Sequence, residues 1–197
     1  MAKKKLNMIF LSASIPLEER HKKYFDTADV IAIRDAVRAL ATVVIPNSIL
    51  VWGGHPAITP LIHYVLNTMQ TNVRDHVTLY QSNFFRDTFP RDNQFIENVV
   101  IVPEASDLEG SLEKMRIEMI SRHDFKVGIF IGGMEGIEIE FNMFREAHPS
   151  ALLLPVASTG AAAGIVYNNM NPKPDSRLLS DYAYMALFRS LLQEYIS

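Results

Sequence analysis

The 197-residue chain contains no cysteine. This absence excludes disulfide bonds, thiolate metal ligands and a cysteine nucleophile, and it fits a protein of the reducing cytoplasm. No apolar run approaches the roughly 20 residues that a membrane-spanning helix needs. The short run LNMIFLSASIP near the start favours a strand over a signal peptide. We therefore expect a cytoplasmic protein.

The chain also lacks a large net charge of either sign. The chain has 19 lysines and arginines against 22 aspartates and glutamates, for a net charge of −3. Its one basic run, Lys3–Lys5, is most simply a solvated N-terminus. This balance argues against nucleic acid and anionic membranes as partners. The histidines show no metal-ligand spacing, so we expect neither a metal ion nor another cofactor.

Three familiar site motifs are absent from the sequence. GAAAGIV lacks the Lys-Ser/Thr pair that completes a Walker phosphate loop, and serines follow the first predicted strand where a dinucleotide-binding fingerprint has glycines. No G-x-S-x-G elbow is present, which argues against serine-hydrolase chemistry. Any nucleotide site in this chain is therefore built in another way.

Six short apolar runs alternate with amphipathic segments along the chain. The runs are typical of buried strands and the segments of helices. Strands are predicted at 5–14, 48–56, 76–85, 98–104, 126–133 and 150–159, and helices between Asp29 and Pro46 and at 57–72, 111–124, 138–148 and 180–196, the last with Ser180 as its N-cap. GAAAG (160–164) is interpreted as a turn. We expect an α/β fold: a single Rossmann-like domain spanning 1–197, with a mostly parallel sheet of about six or seven strands and helices on both faces.

Small residues follow four of the predicted strands. Because the carboxyl ends of parallel strands meet at one edge of a sheet, these residues are expected to share a ligand-binding rim. Glycine lets backbone N–H groups approach a phosphate, and serine or threonine hydroxyls donate to it. The predicted phosphate-binding residues are Ser12, Ser14, Gly53, Gly54, Gly132, Gly133, Ser158, Thr159 and Gly160.

The stretch IFIGGMEGIEIEF adds a further glycine, Gly136, and three glutamates to this rim. Glu135 and Glu138 suit the positive end of a helix dipole. Glu140 either shares that role or contacts the ribose hydroxyls of a ligand. His55, which follows the glycines of the second strand, either orients the ligand or caps its turn.

Two polar segments interrupt the alternation of strands and helices. IPLEERHKKYFDTAD (15–29) is charged and aperiodic, which predicts a long, mobile loop. It is either a surface loop or a lid whose cations, including Arg20 and Lys23, neutralise a phosphate. RDTFPRDNQF (86–95) is either a second flap or a subunit contact.

Four stretches, FLSASIP, LVWGGHPAITPLI, IFIGGMEGIEIEF and PVASTGAAAG, resemble in this order the SLOG superfamily. That superfamily is named for the DNA-processing protein DprA and the "lonely guy" cytokinin-activating enzymes. The resemblance covers nearly the whole chain. The third stretch is similar to the lonely-guy signature PGGxGTxxE, and KMRIEMI is similar to that family's Arg-Lys-x-x-Met segment. The set is more similar still to the stand-alone and TIR- or Sir2-associated SLOG groups of bacterial conflict systems.

The sequence also departs from the hydrolase signature. Ile131 stands where the signature has proline, Ile137 stands where it has threonine, and one extra residue separates the glycine pair from Glu140. The place of the hydrolases' catalytic arginine falls at either Arg116 or Met115. The resemblance therefore implies ligand binding more strongly than catalysis.

The resemblance implies a sensor first. We expect a protein that binds a nucleotide or ADP-ribose-derived molecule in a bacterial defence or signalling system, as a homodimer or higher homo-oligomer, with an effector protein as a possible partner. The alternative is a lonely-guy-like phosphoribohydrolase or N-glycosidic bond hydrolase, with Glu140 catalytic and Arg116 anchoring the phosphate. A second alternative is a non-catalytic scaffold or oligomerisation subunit whose glycines only tighten βα turns.

Overall fold

The computed structural model describes residues 6–69 and 73–196. These residues form one six-stranded sheet in which every paired neighbour is parallel. The strands are β1 Met8–Ser14, β2 Ile49–Gly53, β3 Val77–Ser82, β4 Val99–Val102, β5 Phe125–Gly132 and β6 Leu152–Val156. Their order across the sheet is β4-β3-β2-β1-β5-β6. The six predicted strands and the Rossmann-like α/β architecture are confirmed.

Helices cover both faces of this sheet. They are α1 Lys22–Phe25, α2 Val30–Val44, α3 Thr59–Thr68, α4 Leu108–Ser121, α5 Glu135–Ala147, α6 Ala161–Asn169, α7 Arg177–Ser180 and α8 Tyr184–Leu191. Helices α2, α3 and α8 pack in one apolar core, and α4, α5 and α6 pack in another on the opposite face. Short 3-10 turns span Arg74–His76, Asn83–Thr88, Arg91–Phe95 and Ala157–Thr159.

The central strand β1 shows why its sequence is a continuous apolar run. Ile9 and Leu11 point into the core beneath α2, whereas Phe10 points into the core beneath α5. All three side chains are buried, because a parallel strand covered on both faces has no solvent side. On the second face Phe10 stacks on Phe144 of α5 with ring centroids 5.0 Å apart.

Helix α2 begins where the sequence predicts. The Asp29 side chain accepts a hydrogen bond from the Ala32 N–H over 2.9 Å, as an N-cap does. Helix α3 is shorter than the predicted 57–72, and residues 70–72 of that prediction, like the basic run Lys3–Lys5, lie outside the described residues. None of the described helices is long and apolar enough to cross a membrane.

Two predicted features at the C-terminal end are wrong. GAAAG is the start of α6 and not a turn: Gly160 takes φ 69° as the N-cap, and alanines, which are strong helix formers, begin the helix. The predicted helix 180–196 is divided, with Ser180 ending α7 and α8 starting at Tyr184. The division follows from Asp181, whose carboxylate accepts from the Ala183 N–H over 2.8 Å and turns the chain.

The order of the strands reverses at β1. From β1 the chain builds outward through β2 and β3 to β4, and then returns to the other side of β1 with β5 and β6. In such sheets a crevice opens beyond the carboxyl ends of the strands at the reversal. Here that position lies between Ser14 of β1 and Gly132 of β5, which are paired in register.

Candidate functional site

The turn after β5 brings the start of α5 to the end of β1. Gly132 and Gly133 have φ values of 58° and 79°, a region that side-chain-bearing residues rarely adopt. The Gly133 N–H donates to the Ser14 carbonyl over 2.9 Å. A Cβ on Gly133 would lie 2.0 Å from Cγ1 of Ile137. The glycines therefore shape the crevice, and their N–H groups bond within the fold.

A largely buried polar group lies beside this turn. Ser12 of β1 donates from Oγ to Oε2 of Glu140 over 2.5 Å, and Arg116 of α4 donates from Nε to Oε1 over 3.2 Å. The Arg116 and Glu140 side chains are only 13% and 15% exposed. Three distant segments thus fix one carboxylate in a single orientation.

Gly136 makes room for this arrangement. A Cβ at that position would lie 3.0 Å from Nη2 of Arg116. The neighbouring Met115 instead is buried in the core, where its Cε would lie 3.3 Å from a Cβ on Gly53. Of the two candidates for the hydrolases' arginine, Arg116 is therefore the residue that meets Glu140.

The segment 15–29, which the sequence predicts as a loop, contains helix α1 and contacts the first turn of α5. Nη2 of Arg20 lies 3.1 Å from Oε1 of Glu135, and Nε2 of His21 lies 3.5 Å from Oε2. Both contacts are exposed to solvent to a large extent, because the Arg20 and Glu135 side chains are 57% and 39% exposed. Arg20 and His21 of this segment thus face the acidic start of α5.

A second contact anchors the same segment more deeply. Tyr24 of α1 is only 1% exposed, and its hydroxyl donates to Oε1 of Glu138. Nζ of Lys23 lies 3.9 Å from the same oxygen. Further along, a Cβ on Gly160 would lie 1.8 Å from the carbonyl oxygen of Thr27. Gly160 therefore permits a close approach of two backbone segments. The bond of Tyr24 to Glu138 has no signal in the sequence.

His55 lies at the carboxyl end of β2. Its Nδ1 accepts from the Ala57 N–H over 3.2 Å. Burial, with a smaller contribution from the positive charge of Arg20, lowers the pKa of His55 to about 4. The ring is therefore neutral at pH 7, with the Nδ1 lone pair engaged by the backbone.

The glycine before His55 serves a packing role. A Cβ on Gly54 would lie 1.7 Å from Nε2 of Gln81, and that amide nitrogen donates to the Gly54 carbonyl over 3.3 Å. Gly54 therefore accommodates a side chain of β3. The structure places Gly53 and Gly54 at the rim, one strand away from the Glu140 carboxylate.

The residues after β6 are engaged inside the fold. The Thr159 hydroxyl accepts from the Gly132 N–H over 2.9 Å and donates to the Val156 carbonyl over 2.6 Å. Ser158 contacts the Tyr184 hydroxyl over 3.0 Å, towards α8. Burial raises the pKa of Tyr184 to about 12. The assignment of Ser158 and Thr159 as phosphate ligands stays a prediction, and this geometry does not bring them together with Ser12.

A surface groove of about 610 Å³ lies elsewhere, between α2, α3 and α8. Among its lining residues are Asp35, Arg38, Tyr64, Val65, Tyr182 and Met185. None of the predicted site residues lines it. It is concave and is lined by a carboxylate and a guanidinium, Asp35 and Arg38, but by no glycine among the described residues. The glycine turn beside Ser12, Glu140 and Arg116 therefore distinguishes the carboxyl edge as the candidate site.

No group of three histidine, aspartate or glutamate side chains in 6–69 and 73–196 is placed to hold a metal ion.

Comparison with known proteins points to one family. The model of the SLOG cluster3 family matches residues 23–192. The X-ray structure of TM1055, a target of the Northeast Structural Genomics Consortium, superposes with a TM-score of 0.58 at 13% identity, covering 88% of this chain and 89% of that one. At this identity the superposition shows a shared fold alone. A search of curated proteins finds no significant sequence match.

Proposed function

The chain belongs to the SLOG cluster3 family, and we propose that it binds a nucleotide or ADP-ribose-derived small molecule in the crevice between β1 and β5. In this proposal the protein is a sensor that relays the ligand's presence in a bacterial defence or signalling system. The observation that carries the proposal is the largely buried Ser12–Glu140–Arg116 group beside the Gly132–Gly133 turn.

The group has the chemistry that a ribose phosphate requires. The Glu140 carboxylate keeps acceptor capacity on both oxygens beyond its bonds to Ser12 and Arg116, and a sugar hydroxyl pair donates to such a group. Arg116 uses Nε for Glu140, which leaves the other N–H groups of its fork for a phosphate. In the first turn of α5 the Ile137 N–H donates to the Met134 carbonyl over 3.0 Å, and the positive end of the helix favours an anion.

The same pair supports a second candidate, a phosphoribohydrolase or N-glycosidic bond hydrolase. Such an enzyme needs a carboxylate to stabilise the positive charge that develops on the sugar and an arginine to fix the phosphate. Nε of Arg116 lies 3.2 Å from Oε1 of Glu140, and the two residues supply both groups. In this reading Glu140 is catalytic; in the sensor it only binds.

A ligand panel with product analysis tests both candidates. The purified protein is mixed with AMP, NAD, ADP-ribose or cyclic ADP-ribose isomers, its melting temperature is measured, and each ligand is then checked by mass spectrometry. A raised melting temperature with intact ligand supports the sensor. Release of a free base or of ribose phosphate supports the hydrolase.

Glu140→Gln separates the two roles, and Glu146→Gln on the exposed side of α5 is the matched control. A sensor loses affinity in Glu140→Gln and has no turnover to lose. A hydrolase loses turnover while still binding. If no ligand of the panel raises the melting temperature or is cleaved, the proposal is contradicted and the scaffold alternative is favoured.

A further inference from the structure

Arg20 lies beside the crevice, in contact with the first residue of α5. Its guanidinium pairs with Glu135, which begins α5 directly after the turn that follows β5. Its charge also acts on His55, which follows β2. Glu135 follows β5 and His55 follows β2, the two strands that flank β1, so Arg20 lies on the side of the sheet where the carboxyl ends of these strands meet.

We propose that Arg20 captures the phosphate or diphosphate of the ligand by exchanging its contact with Glu135 for one with the anion. The inference rests on the proposed function, and it names the residue and the ligand chemistry that close the site. Arg20 then forms the upper side of the anion site, opposite the Ser12–Glu140–Arg116 group.

The existing contact is easily exchanged. The ion pair between Arg20 and Glu135 is solvent-exposed on both sides, and such pairs contribute little free energy. Oε2 of Glu135 is buried without a hydrogen-bond partner among the described residues, and Nε2 of His21 lies 3.5 Å from it. A diphosphate offers the planar guanidinium two oxygens and more negative charge than one carboxylate.

The other cations of the segment are held differently. Lys22 pairs with Asp26 one turn along α1, with 3.6 Å between Nζ and Oδ1. Lys23 lies over the Tyr24 ring, 4.3 Å from its centroid, and reaches Glu138. Outside this segment, His55 at the end of β2 is neutral at pH 7, because its pKa is lowered to about 4. Arg20 is therefore the arginine or lysine of this segment whose charged group meets Glu135, the first residue of α5.

The test compares three variants by calorimetric titration with ADP-ribose, and with adenosine as a probe without phosphate. Arg20→Gln removes the proposed anion contact, and Lys22→Gln removes one positive charge from the same segment without touching α5. Glu135→Gln removes the competitor for Arg20. We expect Arg20→Gln to weaken ADP-ribose binding about tenfold or more, Lys22→Gln to leave it nearly unchanged, and Glu135→Gln to strengthen it. Adenosine binding should be indifferent to Arg20.

Each other outcome decides between the two proposals. Equal weakening by Arg20→Gln and Lys22→Gln indicates general charge attraction and overturns the inference, as does weaker binding in Glu135→Gln. Binding unchanged in Arg20→Gln overturns it while the proposed function stands. If the unaltered protein binds none of the ligands in the panel, the proposed function fails and this inference fails with it.

Discussion

Arg116 donates from Nε to Oε1 of Glu140 over 3.2 Å, and both side chains are shielded from solvent. The pair joins α4 to α5, and Ser12 ties the same carboxylate to β1. Removing either charge leaves the other without its partner in a poorly hydrated position. The group that we assign to ligand binding is therefore also part of what holds the two helices against the sheet.

The first prediction concerns this pair. Glu140→Gln should lower the free energy of unfolding by about 2 kcal/mol, because it leaves the Arg116 guanidinium shielded and uncompensated. Urea denaturation measures the change, and Glu146→Gln should alter stability by less than about 0.5 kcal/mol. In the double variant Arg116→Gln/Glu140→Gln the loss should be smaller than the sum of the single losses. An additive double variant would show that the two residues are not coupled.

The second prediction concerns the turn after β5. Gly133→Ala should cost about 2 kcal/mol or more, because φ is 79° and the new Cβ meets Ile137. Gly164→Ala is the matched control: it lies within α6, and its Cβ would find only the Ala157 carbonyl oxygen at 3.8 Å. That change should stabilise the protein by up to about 1 kcal/mol. If Gly133→Ala and Gly164→Ala changed the melting temperature equally, Gly133 would not be required by the backbone conformation of the turn.

The third prediction concerns the anchor of the segment 15–29. Tyr24→Phe keeps the buried ring but removes the bond to Glu138. We expect amide hydrogen exchange to quicken in residues 17–27 while the central strands stay protected, at a cost of about 1 kcal/mol. Tyr64→Phe, at a half-exposed position on α3, should leave exchange in that segment unchanged. Unaltered exchange in Tyr24→Phe would show that the hydroxyl is not the anchor.

The fourth prediction is a pH dependence. The pKa of His55 is about 4 in the folded protein, against 6.5 for an unperturbed histidine. Between these values the unfolded chain binds a proton that the folded chain does not. The contribution of His55 therefore leaves the free energy of unfolding at its highest above pH 6.5. It lowers this free energy by about 1 kcal/mol per pH unit as the pH falls from 6.5 towards 4.

His55→Gln provides the comparison for that measurement. The variant should show a flatter fall in unfolding free energy between pH 6.5 and 4. Some slope will remain, because burial also lowers the pKa of His123 and this acts in the same direction. Identical slopes for the variant and the unaltered protein would contradict the burial of the His55 ring.

The strands could be predicted from the sequence, because a strand buried on both faces leaves a continuous apolar run. The start of α6 could not be predicted in the same way. Ala161–Ala163 are all buried and carry no polar face, so the helical period is invisible there, and Gly160 has the appearance of a turn. The sequence predicts the helix α8 but not its start at Tyr184, because the local turn before it depends on one side-chain bond from Asp181.

The site was only partly predictable. Ser12 and Glu140 are 128 positions apart, and nothing in their local sequences says that they touch. The place of Glu140 shortly after the glycines of β5 predicts its role at the rim, whereas Arg116 is indicated only by the resemblance to a known signature. For Thr159, the hydroxyl is equally suited to a ligand or to the neighbouring backbone, and only the folded chain shows its bonds to Gly132 and Val156. Polarity at a strand end thus indicates a site but does not distinguish ligand contacts from internal ones.

Hydrogen exchange of the unaltered protein with and without ADP-ribose tests the central claim most directly, because it locates the ligand. If the ligand lies in the crevice, protection should increase in peptides covering 12–24 and 132–140. Protection confined to peptides covering 35–42, 64–68 and 182–186, which line the groove between α2, α3 and α8, would contradict the assignment. So would saturating ADP-ribose that changes neither region.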